Sequence, residues 1–202
     1  MIKNIVFDFG DIFINLDKQG TYKALAKLGV LEVTQSMMQS YYNYEKGLMT
    51  TTEFIDFYES EFGIKKQDLI DAWNAVLLDF PKRRLDFLQE LSQQNKYRLF
   101  LLSNTNDLHI EWVKNSVGNS FFSAFKNCFE QFYLSHEIHL RKPDLEIYEF
   151  VLKENNLNAE ETLFVDDLKE NTDAANKLGI RVWNLNPEKE DVTELFTKTI
   201  LH

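Results

Sequence analysis

The sequence predicts an α/β fold in which a Rossmann-like parallel sheet carries helices on both faces, with an all-helical module inserted near the N-terminus. Over the second half of the chain, short apolar runs alternate with amphipathic helical segments, as in parallel strands joined by crossover helices. After the first strand, by contrast, four helical patterns follow one another with no strand between them. We therefore expect an α/β core domain of residues 1–16 and 82–202, and an inserted helical cap domain of four-helix-bundle type at 17–81.

The first strand runs through Ile2 to Phe7, which are mostly apolar and β-branched or aromatic. This run is long enough for a buried strand and too short for a typical helix. It stops at Asp8, and Gly10 permits an unusual backbone turn two residues later. Ligands of open α/β sheets bind beyond the carboxyl ends of the strands, so Asp8 occupies a position where chemistry usually occurs.

The inserted segment shows helical spacing four times. The first pattern ends at Gly29, the second reaches Gly47, and the third begins at Thr50 with the spacing of a capping box. The fourth is predicted to reach Pro81. The aromatic residues here have the spacing of a core face, which favours bundle packing over a cofactor site.

From Pro81 onwards strands and helices alternate. Strands are predicted at Arg98 to Leu102, around Phe132 to Leu134, at Thr162 to Val165 and at Ile180 to Trp183; helices are predicted around Leu85 to Leu91, Ile110 to Val117, Pro143 to Leu152, Ala174 to Leu178 and residues 190–200. No internal repeat or low-complexity segment is visible.

Composition excludes several classes of partner. The 202 residues include 32 acidic and 22 basic side chains, for a formal net charge of -10, and no block of lysine and arginine. This balance argues against nucleic acid or an anionic membrane as partner. The single cysteine, Cys128, excludes an intramolecular disulfide and a cysteine-rich metal site. With no signal-peptide pattern and no apolar stretch near the ~18 residues of a spanning helix, we expect a cytoplasmic protein. The oligomeric state is not predicted.

Four polar clusters remain, and three of them directly follow a predicted strand. They are Asp8 with Gly10, Ser103 with Asn104, Lys142, and Asp166 with Asp167. If those strands are parallel neighbours, the clusters share one crevice. Singly, each has a plainer explanation, such as a helix cap at Ser103 and Asn104 or a solvated surface lysine at Lys142.

Together, the clusters suit phosphoryl transfer. Asp8, Asp167 and a backbone carbonyl would bind Mg²⁺, which prefers hard oxygen ligands and would relieve the repulsion between Asp166 and Asp167. A carboxylate can act as nucleophile and form an acyl-phosphate. Ser103, Asn104 and the first amides of the next helix would hold phosphoryl oxygens. Lys142 would neutralise charge in the transition state.

These motifs resemble those of the haloacid dehalogenase superfamily of phosphatases over nearly the whole chain. The matching segments are Asp8-Phe9-Gly10-Asp11-Ile12, Leu102-Ser103-Asn104, Arg141-Lys142-Pro143-Asp144, and Phe164-Val165-Asp166-Asp167 with Asn171. Within the superfamily, the chain looks closest to the bacterial α-D-glucose-1-phosphate phosphatase branch, whose members carry a small helical cap and act on small phosphorylated metabolites.

The resemblance implies a role for each motif residue. Asp8 would be the nucleophile; Asp8, Gly10 through its carbonyl, Asp166 and Asp167 would surround Mg²⁺; Ser103, Asn104 and Lys142 would bind phosphate, with Ser103 and Lys142 also catalytic; and the cap loop Glu45-Lys46-Gly47 would bring Lys46 to the substrate. The implied activity is hydrolysis of a small phosphorylated metabolite through an aspartyl-phosphate, with a sugar phosphate favoured and a sugar 1-phosphate among the candidates.

Two positions depart from most of the superfamily. Gly10 stands where a second aspartate usually serves as general acid and base, so a proton donor is missing; whether Asp11 or a water replaces it is left open. His139 stands where relatives usually have glycine, and a loop-filling role is the simplest interpretation. Two other functions stay open: a non-catalytic or weakly active regulatory protein of this fold, and a metal-independent haloacid dehalogenase.

Overall fold

The computed structural model describes residues 1–198 and consists of a five-stranded α/β core with a helical insertion. The elements in chain order are β1 (Asn4–Phe7), α1 (Gly20–Lys27), α2 (Gln35–Glu45), α3 (Thr51–Phe62), α4 (Lys66–Asn74), α5 (Lys82–Gln93), β2 (Arg98–Ser103), α6 (Asp107–Val117), α7 (Asn119–Lys126), β3 (Gln131–Leu134), α8 (Ser135–Ile138), α9 (Leu145–Glu154), β4 (Thr162–Asp166), α10 (Lys169–Lys177) and β5 (Arg181–Asn184). Short 3-10 helices span Ala159–Glu161 and Val192–Thr197.

The five strands form one parallel sheet in the order β3-β2-β1-β4-β5, which confirms the predicted fold class. The central strand β1 pairs with β2 on one side and β4 on the other, so that Val6 lies opposite Phe100 and Phe164. The ends of β1, β2 and β4 therefore stand side by side. Those are the three strands that the polar clusters at Asp8, Ser103 and Asp166 terminate.

Helices cover both faces of the sheet. Successive strand residues point to opposite sides, so each face presents apolar side chains that the helices bury. Ile5 and Phe7 belong to one buried cluster with apolar residues of α5, α6 and α7. Val6 and Phe164 belong to another, with residues of α9 and α10. Both faces are apolar, as expected for a parallel sheet buried on each side.

The cap packs around its own aromatic core, as predicted for a bundle. Tyr44 stacks on Phe54 with ring centroids 4.3 Å apart, and Trp73 meets Phe54 edge-on at 4.6 Å. Thr50 forms the predicted capping box with Glu53 at the start of α3. The helix ends at Gly63 in the left-handed conformation that glycine tolerates best.

The chain enters and leaves the cap through two linkers that lie side by side. Asn15 N donates to Asp79 O, and Leu78 N donates back to Asn15 O, both at 2.9 Å. Asp17 N donates to Val76 O at the same distance. The predicted domain limits of 17 and 81 fall within or next to this paired region, and they stay a prediction.

Some predicted helix limits were wrong. The fourth cap helix ends at Asn74 instead of reaching Pro81, because the chain turns there to pair Leu77 with Leu16 across the linkers. The helix after the Lys-Pro motif begins at Leu145, not at Pro143. Helix α7 was not predicted.

The C-terminal helix predicted at residues 190–200 is a 3-10 helix over Val192–Thr197, and its predicted last two residues lie outside the described part of the chain. Among residues 1–198, every helix is too short or too polar to cross a bilayer.

Candidate active site

A cavity of about 290 Å³ lies at the carboxyl ends of β1, β2 and β4, between the core and the cap. Its lining residues from the core include Asp8, Gly10, Ser103, Asn104, Lys142, Asp167 and Asn171, and those from the cap include Tyr41 and Glu45. The predicted clusters therefore share one crevice, since the parallel neighbours β2, β1 and β4 bring their ends together.

Lys142 lies at the bottom of this cavity between two carboxylates. Its Nζ is 2.8 Å from Asp8 Oδ1 and 2.7 Å from Asp166 Oδ2, and its side chain is 1% exposed. Burial would lower the pKa of Lys142, but the charges of Asp166 and Asp8 outweigh it and raise the pKa above its ordinary value. Lys142 therefore stays protonated and gives the site a fixed positive charge.

Asp8 is the predicted nucleophile, and it lies directly after β1 with its amide bonded to Val165 O at 2.9 Å. Burial raises the pKa of Asp8 to about 7; Lys142 opposes this effect, and the nearby charges of Asp166 and Asp167 add to it. An additional cation next to Asp8 would favour its ionised form.

Asp166 is fully buried, and both of its carboxylate oxygens already accept hydrogen bonds. Leu168 N donates to Oδ1 at 2.8 Å, and Asn171 Nδ2 lies 3.0 Å from each oxygen. With Lys142 on Oδ2, the carboxylate is saturated by protein donors. These contacts orient Lys142, and the predicted place of Asp166 among the metal ligands stays a prediction.

The remaining oxygens fit a magnesium ion. Ligand atoms of Asp8, Asp166 and Asp167 lie within 4.8 Å of one another, and Gly10 lines the same cavity. With Asp166 saturated, Asp8, Asp167 and the Gly10 carbonyl are the hard oxygen donors that suit Mg²⁺, which takes one or two carboxylates and keeps several waters.

Asp11 contacts a neighbouring lysine and is not among the residues that line the cavity. Its Oδ1 accepts from Leu16 N at 3.0 Å, and its Oδ2 lies 3.1 Å from Lys18 Nζ. Lys18 also contacts Asp167 Oδ2 at 2.6 Å. Asp11 and Asp167 thus hold Lys18, a cavity residue that sequence reasoning missed because a lone lysine carries no signal.

Ser103 and Asn104 line the cavity as predicted, but Asn104 has a structural task. Its amide group exchanges two hydrogen bonds of 2.9 Å with the backbone of Lys142. The first amides of α6 are occupied, since His109 N donates to Asn106 Oδ1 and Leu108 N donates to Tyr44 Oη. The amides of Leu108 and His109 thus already have partners, and the expectation that helix amides hold phosphate stays a prediction.

Lys46 does not reach the cavity, contrary to the expectation for the cap loop. Its Nζ forms an ion pair with Asp144 Oδ2 at 2.8 Å, and neither residue is among those that line the cavity. His139 Nδ1 lies 2.9 Å from the Lys46 carbonyl, and His139 adopts a φ of 59°. His139 therefore occupies a left-handed position and connects the core loop to the cap.

Gly10 packs closely against a side chain that occupies the nearby space. A Cβ added at Gly10 would lie 2.8 Å from Leu16 Cδ1, and Leu16 also lines the cavity. The position next to the nucleophile is therefore apolar and carries no proton donor of its own.

The fold and this arrangement can be compared with known proteins. The family model for a haloacid dehalogenase-like hydrolase matches residues 5–185. The chain belongs to the haloacid dehalogenase-like hydrolase family. The predicted resemblance is thereby confirmed at the level of the family, and the closer likeness to the α-D-glucose-1-phosphate phosphatase branch stays a prediction.

Individual members of this family are similar over most of their length. D-ribitol-5-phosphate phosphatase of Bacteroides thetaiotaomicron is 29% identical over 191 residues, which are 91% of each chain. The crystal structure of the HAD family enzyme bt-2542 from the same organism, in its magnesium complex, is 34% identical with a TM-score of 0.86 and covers 98% of this chain and 99% of its own. The wild-type bt-2542 complex with magnesium and inorganic phosphate has 33% identity and a TM-score of 0.81, covering 97% and 100%.

Within this haloacid dehalogenase-like chain, the cap contributes side chains that sequence reasoning placed in its hydrophobic core or did not assign. Tyr41 and Glu45 on α2 line the cavity, and Arg141 faces them from the core loop. His109 lines it from α6, and burial lowers its pKa to about 4, against the opposing hydrogen bond to the Trp73 carbonyl. The predicted cap loop Glu45-Lys46-Gly47 includes Glu45, which lines the cavity, whereas Lys46 contacts Asp144.

Proposed function

We propose that the chain is a magnesium-dependent phosphatase that hydrolyses a small phosphorylated metabolite, with a sugar or related phosphate favoured, through an aspartyl-phosphate on Asp8. The observation that carries this proposal is the buried Lys142 ammonium, which lies 2.8 Å from Asp8. The carboxylate of Asp167 lies close to that of Asp8. A nucleophile, a fixed positive charge and a set of oxygen donors for a divalent cation thus share one small cavity.

The chemistry has two steps. A carboxylate oxygen of Asp8 attacks phosphorus, and the bond between phosphorus and the leaving oxygen breaks; water then attacks phosphorus, and the acyl-phosphate bond breaks to regenerate Asp8. Lys142 balances the charge on the phosphoryl oxygens, and Ser103 lies at the end of the adjoining strand to bind them. When bound, Mg²⁺ supplies positive charge against the same oxygens. Asp11 faces Lys18, so we assign protonation of the leaving oxygen to water.

The relatives and the cavity size support this substrate class. One relative is named a D-ribitol-5-phosphate phosphatase, and bt-2542 binds magnesium and inorganic phosphate. A volume of about 290 Å³ is at the small end for ligand sites, which suits a metabolite and not a polymer. No membrane or nucleic acid partner enters the proposal, and the cytoplasmic location still rests on the sequence.

The test is a phosphate-release screen over sugar, polyol and nucleotide monophosphates with and without Mg²⁺, using Asp8→Asn as control. We expect release that requires Mg²⁺ and is abolished in Asp8→Asn, while the variant keeps its fold. Release that persists in Asp8→Asn would contradict the proposal. Absence of release from all substrates would favour the regulatory alternative, and chloride release from a haloacid without Mg²⁺ would favour the dehalogenase.

A further inference from the structure

An ion pair between a buried carboxylate and a partly buried guanidinium joins the cap to the core at the wall of the catalytic cavity. Arg141 Nε donates to Glu45 Oε2 at 2.6 Å, and Tyr41 Oη donates to Glu45 Oε1 at 2.8 Å. Glu45 is the last residue of α2, whereas Arg141 directly precedes Lys142 in the core. Glu45 is 4% exposed, and all three residues line the cavity.

Stability does not explain this pair well. Removing a carboxylate and a guanidinium from water costs about as much as their attraction returns, so a buried pair is weak evidence for a stabilising role. The chain also has a more exposed ion pair that joins the cap to the core, between Lys46 and Asp144 at 2.8 Å. A buried pair at the cavity wall is therefore better explained by what it offers to a ligand.

The guanidinium is fixed in position and retains hydrogen-bonding capacity. Its Cζ lies over the ring of Tyr42, 4.6 Å from the centroid, and Nη1 donates to Lys142 O at 3.0 Å. A guanidinium carries five N–H donors, so after the hydrogen bonds of Nε and Nη1 and the hydrogen bond with Tyr41 it keeps donors for a ligand. Each oxygen of Glu45 accepts one hydrogen bond from protein and has a second acceptor site.

A hydroxyl group both donates and accepts, so adjacent hydroxyls match a carboxylate beside a guanidinium. Glu45 and Tyr41 also line a second cavity of about 270 Å³ within the cap, which adjoins the catalytic one. They therefore stand on the cap side of the catalytic cavity, where the alcohol part of a phosphate ester held by Lys142 would extend.

We propose that Glu45 and Arg141 bind hydroxyl groups of the leaving alcohol, and thereby restrict the enzyme to phosphate esters of polyhydroxylated alcohols. The inference rests on the proposed phosphatase function. An alcohol without hydroxyls would leave the carboxylate and guanidinium partly desolvated and unpaired, which is the strongest form of discrimination that a binding site achieves.

The experiment compares a pentitol phosphate with n-pentyl phosphate, which has the same number of carbons and lacks the free hydroxyls. We expect the wild type to prefer the pentitol ester by at least 100-fold in kcat/KM. Glu45→Gln should lower kcat/KM for the pentitol ester 10- to 100-fold, chiefly through KM, and should change the pentyl ester by less than threefold. Arg141→Lys should act in the same direction.

The matched control is Asp144→Asn, which removes the other ion pair between cap and core without touching the cavity. It should leave the ratio of the two substrates unchanged. If Glu45→Gln lowers both substrates equally, the pair only docks the cap and the inference is overturned; a wild type without preference overturns it too.

The inference can be tested even if Glu45→Gln does not fold or no phosphate is released. If Glu45→Gln does not fold, Tyr41→Phe carries the test, because it removes one hydrogen bond to the same carboxylate; a selective loss for the pentitol ester supports the inference, and an equal loss overturns it. Absence of phosphate release from both esters and from the wider screen would instead refute the proposed function.

Discussion

Asp166 lies 2.7 Å from the Lys142 ammonium at a point where neither side chain meets solvent. Breaking a buried pair by removing one charge typically costs about 3–5 kcal/mol, because the other charge is left uncompensated. We expect Asp166→Asn to lower the free energy of unfolding by about 3 kcal/mol, measured by urea denaturation. Asp173→Asn, which removes an exposed pair with Lys169, is the control and should change little. Equal free energies of unfolding for the wild type and Asp166→Asn would show that the pair between Asp166 and Lys142 does not stabilise the fold.

Gly47 and Gly63 allow the cost of a left-handed backbone to be measured separately from the cost of a steric clash with the core. Gly47 and Gly63 have nearly the same φ, 64° and 66°, but an added Cβ would lie 2.0 Å from His136 O at Gly47 and meets nothing within 4 Å at Gly63. Alanine at Gly63 should cost about 1 kcal/mol for the left-handed conformation. Gly47→Ala should cost at least twice that amount in thermal or urea unfolding, since the loop must move off the core. Similar losses of stability in the two variants would show that the Gly47 loop moves away from His136 at little cost in free energy.

His109 should make stability depend on mild acid. Its ordinary pKa is near 6.5 and burial lowers it to about 4 in the folded state, so the unfolded chain takes up its proton first. The stability associated with neutral His109 is therefore complete above pH 6.5 and is lost progressively as the pH falls from 6.5 to 4, by about 3 kcal/mol in total. Urea denaturation across this range should show a shallower dependence in His109→Gln. If the wild type and His109→Gln lose stability equally as the pH falls, burial of neutral His109 is not the cause of the pH dependence.

Asp191 should make the stability of the fold depend on pH in a more acidic range than His109. Burial raises its pKa, but hydrogen bonds from Arg83, Thr193 and Arg84 prevail and lower the pKa to about 2. The ionised carboxylate thus stabilises the fold above about pH 4, and this contribution is lost as the pH falls through 2. After allowance for solvent screening, Asp191→Asn should cost about 1–2 kcal/mol at pH 7 and much less at pH 2.5. A constant difference at both pH values would exclude this origin.

Gly10 should make turnover sensitive to the leaving group. Since Leu16 occupies the adjacent space and no side chain there donates a proton, substrates with acidic leaving alcohols should react faster. Sugar 1-phosphates are therefore expected to exceed glycerol phosphate in kcat by about 10-fold or more, measured by phosphate release at saturating substrate. Equal turnover of a sugar 1-phosphate and glycerol phosphate would refute the expectation.

The sheet and its edge were predictable because their signals are local. Buried strands ending in Asp8, Ser103 and Asp166 reveal both the strand and the polar residue that follows it. Helix limits near the cap linkers were less accurate, because Leu77 is apolar for its pairing with the first linker and not for helix periodicity.

The roles of individual polar residues depended on contacts between distant segments. Sequence shows that Asp166 and Asp167 are adjacent, but not that Lys142 and Asn171 saturate one of them while Lys18 contacts the other. It likewise indicates a cap loop, but not that Lys46 turns to Asp144 while its neighbour Glu45 turns to the cavity. Such choices are decided by three-dimensional packing.

The order of strands in the sheet also bears on how activity is acquired during folding. Asp8 and Asp166 lie 158 positions apart, and they meet only after β1 is inserted between β2 and β4. A ribosome must therefore have released β4 before the Lys142 ammonium can obtain both of its partners. Until then the nascent chain carries its nucleophile on an unpaired strand, so recovery of catalysis during refolding would report completion of the central sheet.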